Sequence, residues 1–296
     1  MNNLRCIGRW GLTGLLAAAV LAGQQQGWAA APAPPEAGLT IEQLDQACQQ
    51  ARQGGTSTSL RALQRLLLLV RPAPQPLPVV LANADALLRC GAPDSALVVL
   101  NRYRPAPGAE QIQWSLLQWR AAAAALDHRL AAEALRQLAA ASGRSLEALQ
   151  VPVGQDAEGR WQNQAALDLL AGHLDALGQR RQAAQLLLAS RTPGVVNAQR
   201  LAQAVAWSEA TMPLEERQRW LETALDQAAA AGAWGLAAAL LDQQLALLDQ
   251  QPSPQRLKLE ERRRRLGRRL DDSQAINPAS VRSPRDPGGH AATDQP

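Results

Sequence analysis

Histidine, the side chain best suited to acid–base and metal chemistry near neutral pH, occurs only three times. The histidines are His128, His173 and His290, and none of them has a cysteine or second histidine at the spacing of a zinc site. The sequence also contains no G-x-S-x-G nucleophile elbow and no Gly-rich phosphate loop. Asp168 and Asp175 lie seven residues apart in a helical pattern, about 10 Å along a helix axis, a separation found between glycosidase carboxylates. Any charged helix offers such pairs by chance. We therefore predict no catalytic site, metal site, cofactor or small-molecule substrate, and no enzyme.

The cysteines allow two interpretations. Cys6 lies in a leader-like N-terminus, which leaves Cys48 and Cys90 as a pair. A disulfide between the first and third predicted helices is one option, as is common in exported proteins. The other is that each thiol is buried separately as a small apolar side chain.

A basic segment lies near the C-terminus. Between Arg256 and Arg269, seven arginines and one lysine face two glutamates, a local charge of +6, and leucines at 257, 259, 266 and 270 form a stripe. Such a helix can lie on an anionic membrane or contact an acidic partner, or it can cap a helical array with its arginines in water. The candidate contacts for an anionic surface are Arg256, Arg262, Arg263, Arg264, Arg265, Arg268 and Arg269.

Tryptophan supplies nearly all the aromatic surface, because Phe is absent and Tyr occurs once. Its indole either fills a core or is exposed as an interface anchor. Trp114 and Trp119, five residues apart in a helical pattern, cannot both point into one core, so we expect one of them to be exposed. The candidate partner-binding residues are Trp114, Trp119 and Trp161.

The N-terminus has the pattern of an export signal. Arg5 and Arg9 precede an apolar stretch from Gly11 to Gly23, which is short for a membrane anchor. Cleavage after Ala29 is predicted, with an uncleaved anchor as the alternative. Gln24 stands where a lipoprotein would need cysteine. We predict an exported, periplasmic protein, or one of the thylakoid lumen if the source is a photosynthetic bacterium.

The elements that must position these residues are helices, since Leu and Ala dominate the chain. The clearest pattern, residues 165–190, is two amphipathic helices joined by a tight turn at Gly178. We divide the chain into a signal peptide (1–29), a Pro-rich spacer (30–39), an N-terminal hairpin lobe (40–141), a hinge or loop (142–160), a C-terminal hairpin lobe (161–251), a basic helix (252–272) and a disordered tail (273–296).

The hairpins resemble tetratricopeptide repeats (TPR). Leu167-x2-Leu170-Ala171-x2-Leu174 followed by Ala183-x3-Leu187 is similar to the family pattern W-x2-L-G-x2-Y then A-x3-F, with leucine at each aromatic position. Weaker copies turn at Gly91 and Gly232. The aligned alanines Ala96, Ala183 and Ala237 are 87 and 54 residues apart, not multiples of 34, so the expected fold is all-α: an irregular α-solenoid of stacked helical hairpins.

The TPR resemblance implies a scaffold that binds proteins, because stacked hairpins create an extended surface suited to peptides or partner helices. We predict an adaptor or assembly factor with protein partners and no nucleic-acid target. The alternative is a peripheral membrane-surface protein held by the basic helix. A cell-wall-associated enzyme is the remote alternative, since such enzymes carry α-superhelical domains.

Overall fold

The computed structural model describes residues 39–70, 74–208, 211–248 and 253–276, with side chains as far as Leu270. The predicted signal peptide, the Pro-rich spacer up to Gly38 and the tail beyond Ile276 lie outside these residues. Their assignments therefore stay predictions. Residues 273–276, predicted as the start of a disordered tail, are instead the end of a helix.

The described chain consists of helices interrupted once by a pair of strands. The strands are β1 (Gln150–Gln155) and β2 (Trp161–Ala165). The helices are α1 (Ile41–Gln53), α2 (Ser57–Leu69), α3 (Leu77–Arg89), α4 (Pro93–Leu100), α5 (Ala109–Ala124), α6 (His128–Ser142), α7 (Ala166–Ala176), α8 (Arg180–Leu188), α9 (Val195–Trp207), α10 (Leu214–Ala230), α11 (Trp234–Ala246) and α12 (Pro254–Ile276).

Five tight turns join helices into hairpins, and each has a residue in the left-handed backbone region. Glycine occupies four of these positions, including the predicted turns at Gly91, Gly178 and Gly232, whose φ angles are 74°, 73° and 69°. In each turn the next backbone N–H bonds back to the preceding helix, as from Gln179 to the Leu174 carbonyl at 2.8 Å. This bond satisfies a carbonyl that the helix end would otherwise leave unpaired.

The fifth turn has no glycine. Leu126 adopts a φ of 59° between α5 and α6, while its side chain is 73% exposed. Counting this turn, the turn residues Gly55, Gly91 and Leu126 are 36 and 35 residues apart, close to the TPR period of about 34. The next two intervals are 52 and 54 residues, because β1–β2 is inserted in the first and the additional helix α9 in the second.

The core is a series of three overlapping clusters rather than one centre. The first runs from Ile41 to Ala121, the second from Trp119 to Ala204 and the third from Ala198 to Leu259. Each helix packs chiefly on helices close to it in sequence, the organisation of a repeat protein. The described structure thus confirms the predicted α-solenoid of TPR-like hairpins.

Cys48, on α1, and Cys90, the C-cap of α3, form a disulfide with their Cα atoms 5.3 Å apart. Both residues lie in the first cluster with no exposed surface. The sequence left open whether these cysteines form a disulfide or are buried as separate thiols, and the structure contains the disulfide. It closes a loop of 42 residues across the first two helical hairpins.

The segment predicted as a hinge or loop, 142–160, instead contains the first strand and the whole turn of a β-hairpin. The two strands pair antiparallel from Gln150↔Ala165 to Gln155↔Trp161, with an irregularity beside Val153. Leu149 and Val151 are buried in the second cluster, which therefore continues through this segment. The described part of the chain, from Leu39 with its gaps, contains no helix long and apolar enough to cross a membrane.

Candidate partner-binding groove

A groove of about 790 Å³ lies between the β-hairpin and four helices of the solenoid. Its walls come from α3, α5, α6, both strands and α7. Apolar and polar groups share the lining: Leu88, Arg89, Trp119, Arg120, Ala123, Ala124, His128, Pro152, Val153, Gly154, Gln155, Trp161, Gln164, Asp168, Leu169, Gly172 and His173. We refer to it as the hairpin groove.

The β-hairpin presents two large apolar side chains at this groove. Trp161 is 59% exposed and Val153 is 43% exposed. The tip is ordered by Asp156, whose carboxylate accepts hydrogen bonds from the backbone N–H groups of Glu158 and Arg160 and pairs with the Arg160 side chain at 2.9 Å. The indole of Trp161 is therefore held on a defined strand immediately after an ordered turn.

A buried ion network fixes the base of the β-hairpin. Arg200, on α9, is only 6% exposed and donates two hydrogen bonds to the Asp168 carboxylate, at 2.7 and 2.9 Å. Its guanidinium also contacts the carboxylate of Glu147, a residue just before β1, at 2.9 Å. A buried guanidinium is tolerated only when its charge and donors are satisfied. These contacts join α7, α9 and the entry to the hairpin.

Glu147 is also tied to the connection between α8 and α9. Its carboxylate accepts hydrogen bonds from the Ser190 hydroxyl at 2.6 Å and from the backbone N–H groups of Arg191 and Thr192 at 3.0 Å. Burial alone would raise the pKa of Glu147, but these bonds to the ionised form outweigh it and lower the pKa to about 2. Glu147 is therefore ionised at all ordinary pH values.

Two histidines far apart in sequence meet in the groove wall. The Nδ1 atoms of His128 and His173 are 3.1 Å apart, and the indole N–H of Trp119 donates to Nε2 of His173 at 3.2 Å. Since an indole N–H only donates, Nε2 of His173 is unprotonated and its proton lies on Nδ1, facing His128. Burial, and then the proximity of His128, lower the pKa of His173. The two imidazole rings and the Trp119 indole thus form a chain of polar contacts in the groove wall.

The three tryptophans proposed for partner binding differ in exposure. Trp161 is exposed, but Trp114 and Trp119 are only 9% and 5% exposed, so the expectation that one of them would be exposed is wrong. Helix α5 lies between two core clusters: Trp114 packs into the first and Trp119 into the second. Trp114 also donates to the Leu100 carbonyl at 3.1 Å. Trp119 reaches the groove only as part of its wall.

The two carboxylates considered for acid–base chemistry are each paired with an arginine. Asp168 is bound by Arg200, and Asp175 accepts from Arg180 at 2.9 Å. Both carboxylates are therefore engaged in ion pairs within the protein. Among the described residues, no group of three or more His, Cys, Asp or Glu side chains has a metal-binding arrangement.

The basic helix α12 packs on α10 and α11. Arg262 pairs with Glu222 at 2.9 Å, Arg263 pairs with Asp242 at 2.7 Å, and Arg256 pairs with Glu260 within the helix at 2.9 Å. From the predicted leucine stripe, Leu259 is buried in the third cluster and Leu266 packs against it, while Leu257 is 58% exposed. Part of the apolar stripe is thus used inside the protein.

The remaining arginines of α12 face outward. Arg264, Arg265 and Arg268 all contact the Glu261 carboxylate and are 70–72% exposed. The hydrogen bond from Arg265 and the charges of all three arginines lower the pKa of Glu261. Arg269 lines a second cleft together with Arg262, Arg265 and Arg268.

No protein-family model and no curated protein matches this chain. The solved structures that are similar to it include a kinesin light chain of Podosopora anserina with nearly identical TPR-like repeats, and a variant of that protein. These two are 18% and 19% identical to it, cover 70% of this chain and 93–94% of their own, and have a TM-score of 0.34. Because this identity and TM-score are low, the fold assignment rests on the helix order and packing described above and not on these two structures.

Proposed function

We propose that this protein is an interaction scaffold that holds an extended segment of a protein partner in the hairpin groove. The observation that carries the proposal is the position of Trp161, which is 59% exposed on an ordered strand at a groove of about 790 Å³. Tryptophan is the side chain most enriched among residues that dominate binding energy. An exposed indole beside a concave surface is thus a suitable anchor.

The composition of the groove favours a peptide over a small charged ligand. Leu88, Ala123, Val153 and Leu169 provide apolar surface, and amide side chains such as Gln164 can pair with a peptide backbone. Burying the exposed part of an indole removes on the order of 150 Å² from water, which stabilises a complex by about 3–4 kcal/mol. This is enough to make one side chain decisive for binding.

Affinity capture with matched variants tests this proposal. The full-length chain, tagged at its C-terminus, is expressed in cells of the source organism as the wild type, as Trp161→Ala and as Val98→Ala. Val98 is an exposed apolar side chain on α4, outside the described grooves. We expect a discrete protein to co-purify with the wild type and with Val98→Ala and to be reduced at least about tenfold with Trp161→Ala. Equal recovery with all three chains would contradict the proposal.

We further propose that the scaffold is exported and acts in the assembly of an envelope or membrane complex. The arginines and the apolar stretch before Gly23 support export, and the Cys48–Cys90 disulfide suits an oxidising compartment. Residues 1–38 fused to alkaline phosphatase, which is active only after export, test this part. We expect activity that Leu16→Arg abolishes, and an inactive parent fusion would overturn it.

A further inference from the structure

A second cleft, separate from the hairpin groove, lies where α12 packs on α10 and α11. Its volume is about 570 Å³. Its apolar floor comes from all three helices, with Leu225, Ala229, Ala237, Leu241 and Leu266. Trp234, at the start of α11, is 43% exposed beside this floor. We refer to it as the C-terminal cleft.

The lining of the C-terminal cleft includes four arginines but only one acidic side chain. Arg262, Arg265, Arg268 and Arg269 line it, together with Asp226. Arg265 and Arg268 share the carboxylate of Glu261 with Arg264 and remain 70% and 72% exposed. The sequence of α12 as a whole, with Asp271 and Asp272 included, has eight basic residues against four acidic ones. The positive charge of this surface is therefore not balanced within the helix.

We propose that the C-terminal cleft binds an acidic amphipathic segment of a protein partner. The large apolar side chains of that segment lie on the floor beside Trp234, and its carboxylates pair with Arg265 and Arg268. Arginine suits this role because its planar guanidinium binds carboxylates in a bidentate geometry. The combination of an apolar floor and an arginine rim matches a ligand that has both kinds of side chain on one face.

A protein segment fits this cleft better than a bilayer does. A helix that lies on a membrane inserts an apolar face between its basic residues. In α12, however, Leu259 is buried and Leu266 packs in the third cluster. The floor of the cleft is recessed between three helices, where a peptide side chain can reach it. The arginines stand at its rim.

Fluorescence titrations with defined probes test the proposal. The probes are a panel of labelled peptides with glutamates on one helical face and leucines on the other, at varied spacings, and the same peptides with lysines in place of the glutamates. Vesicles of phosphatidylglycerol and phosphatidylcholine provide the membrane comparison. The protein is the full chain as the wild type, Arg265→Gln/Arg268→Gln, Trp234→Ala, and a control with two exposed arginines of α2 replaced, Arg61→Gln/Arg65→Gln.

We expect the glutamate peptides to bind and the lysine peptides not to bind. Affinity should fall at least about tenfold in Arg265→Gln/Arg268→Gln, equivalent to about 1.4 kcal/mol, and also in Trp234→Ala, while the α2 control matches the wild type. Circular dichroism checks that each variant is folded. No binding of any glutamate peptide, an equal loss in the α2 control, or binding to anionic vesicles alone would each overturn the proposal. None of these results depends on Trp161, so the hairpin groove is tested separately.

Discussion

Replacing Glu147 with glutamine tests whether the buried ion network holds the base of the β-hairpin. Glutamine has nearly the same shape and keeps one oxygen that can accept from Ser190 or from the backbone N–H groups of Arg191 and Thr192. It removes the negative charge that faces Arg200 at 2.9 Å. The substitution therefore isolates the contribution of ionisation.

The pKa of Glu147 gives the size of the effect. A pKa of about 2 against an ordinary 4.5 corresponds to at most about 3–4 kcal/mol, since a difference of one in pKa is worth about 1.36 kcal/mol. The side chain is 16% exposed and Arg200 keeps Asp168 as a partner. We therefore expect Glu147→Gln to lower the free energy of unfolding by about 2 kcal/mol at pH 7.

The same reasoning predicts how the effect varies with pH. A carboxyl group whose pKa is lowered by folding stabilises the folded state above its unfolded pKa, and that stabilisation is lost as the pH falls towards the folded pKa. The difference between wild type and Glu147→Gln should thus be full above about pH 4.5 and should shrink between there and about pH 2. At the lower limit Glu147 is protonated and resembles glutamine.

Urea unfolding followed by circular dichroism measures this difference at a series of pH values. Glu133→Gln is the matched control, because Glu133 lies on the surface of α6 with 53% of its side chain exposed; surface pairs of this kind contribute about 0–1 kcal/mol. A difference for Glu147→Gln that equals the control, or that does not change between neutral and acid pH, would refute the role assigned to the network.

Three further predictions concern stability. Reducing the Cys48–Cys90 disulfide, or replacing both residues with serine, should lower the free energy of unfolding by about 3–4 kcal/mol, because the bridge closes a loop of 42 residues. Thermal melting curves that coincide with and without reductant would contradict this. Leu126→Gly should raise the free energy of unfolding by about 0.5–1 kcal/mol, because the φ of 59° strains a leucine but not a glycine, whereas Leu126→Ala should not raise it. Equal urea midpoints for the wild type and Leu126→Gly would refute this strain. In urea unfolding, Trp119→Ala should lower the free energy of unfolding by about 3–5 kcal/mol because its indole is buried, and Trp161→Ala should lower it by less than about 0.5 kcal/mol because its indole is exposed. A larger loss for Trp161→Ala than for Trp119→Ala would contradict this assignment of the buried and exposed indoles.

The helical hairpins were largely predictable from sequence because their turns have a local chemical cause. Glycine at positions 91, 178 and 232 meets a left-handed backbone requirement that few other residues satisfy. The turn between α5 and α6 has Leu126 instead. Leucine is not a recognisable signal for a left-handed turn, so the sequence does not show the spacing of about 35 residues that Leu126 shares with Gly55 and Gly91.

The β-hairpin could not be predicted from periodicity. Gln162, Asn163 and Gln164 of β2 are polar and exposed, with no alternation of apolar and polar side chains. The strands are held by tertiary contacts, since Leu149 and Val151 insert into the core. The usable signal was local: Asp156 followed by Gly159, a combination typical of a tight turn.

Pairings between distant residues were also beyond sequence reasoning. Arg200 meets Asp168 and Glu147 across 32 and 53 residues, and His128 meets His173 across 45. No local pattern links such positions. Trp114 and Trp119 illustrate the same limit: the spacing correctly excluded one shared core, but only the packing of α5 between two clusters explains why both indoles are buried.

Site-specific photo-crosslinking tests the proposed scaffold function most directly. A benzophenone amino acid is placed at Gln164 and at Val153, which both line the hairpin groove and leave Trp161 in place, and, as a control, at Val98, and the full-length chain is irradiated in cells of the source organism. Binding of a partner segment in the hairpin groove predicts the same crosslinked protein from positions 164 and 153 and none from position 98. Crosslinks that are absent at both groove positions, or that are equally strong at position 98, would contradict it.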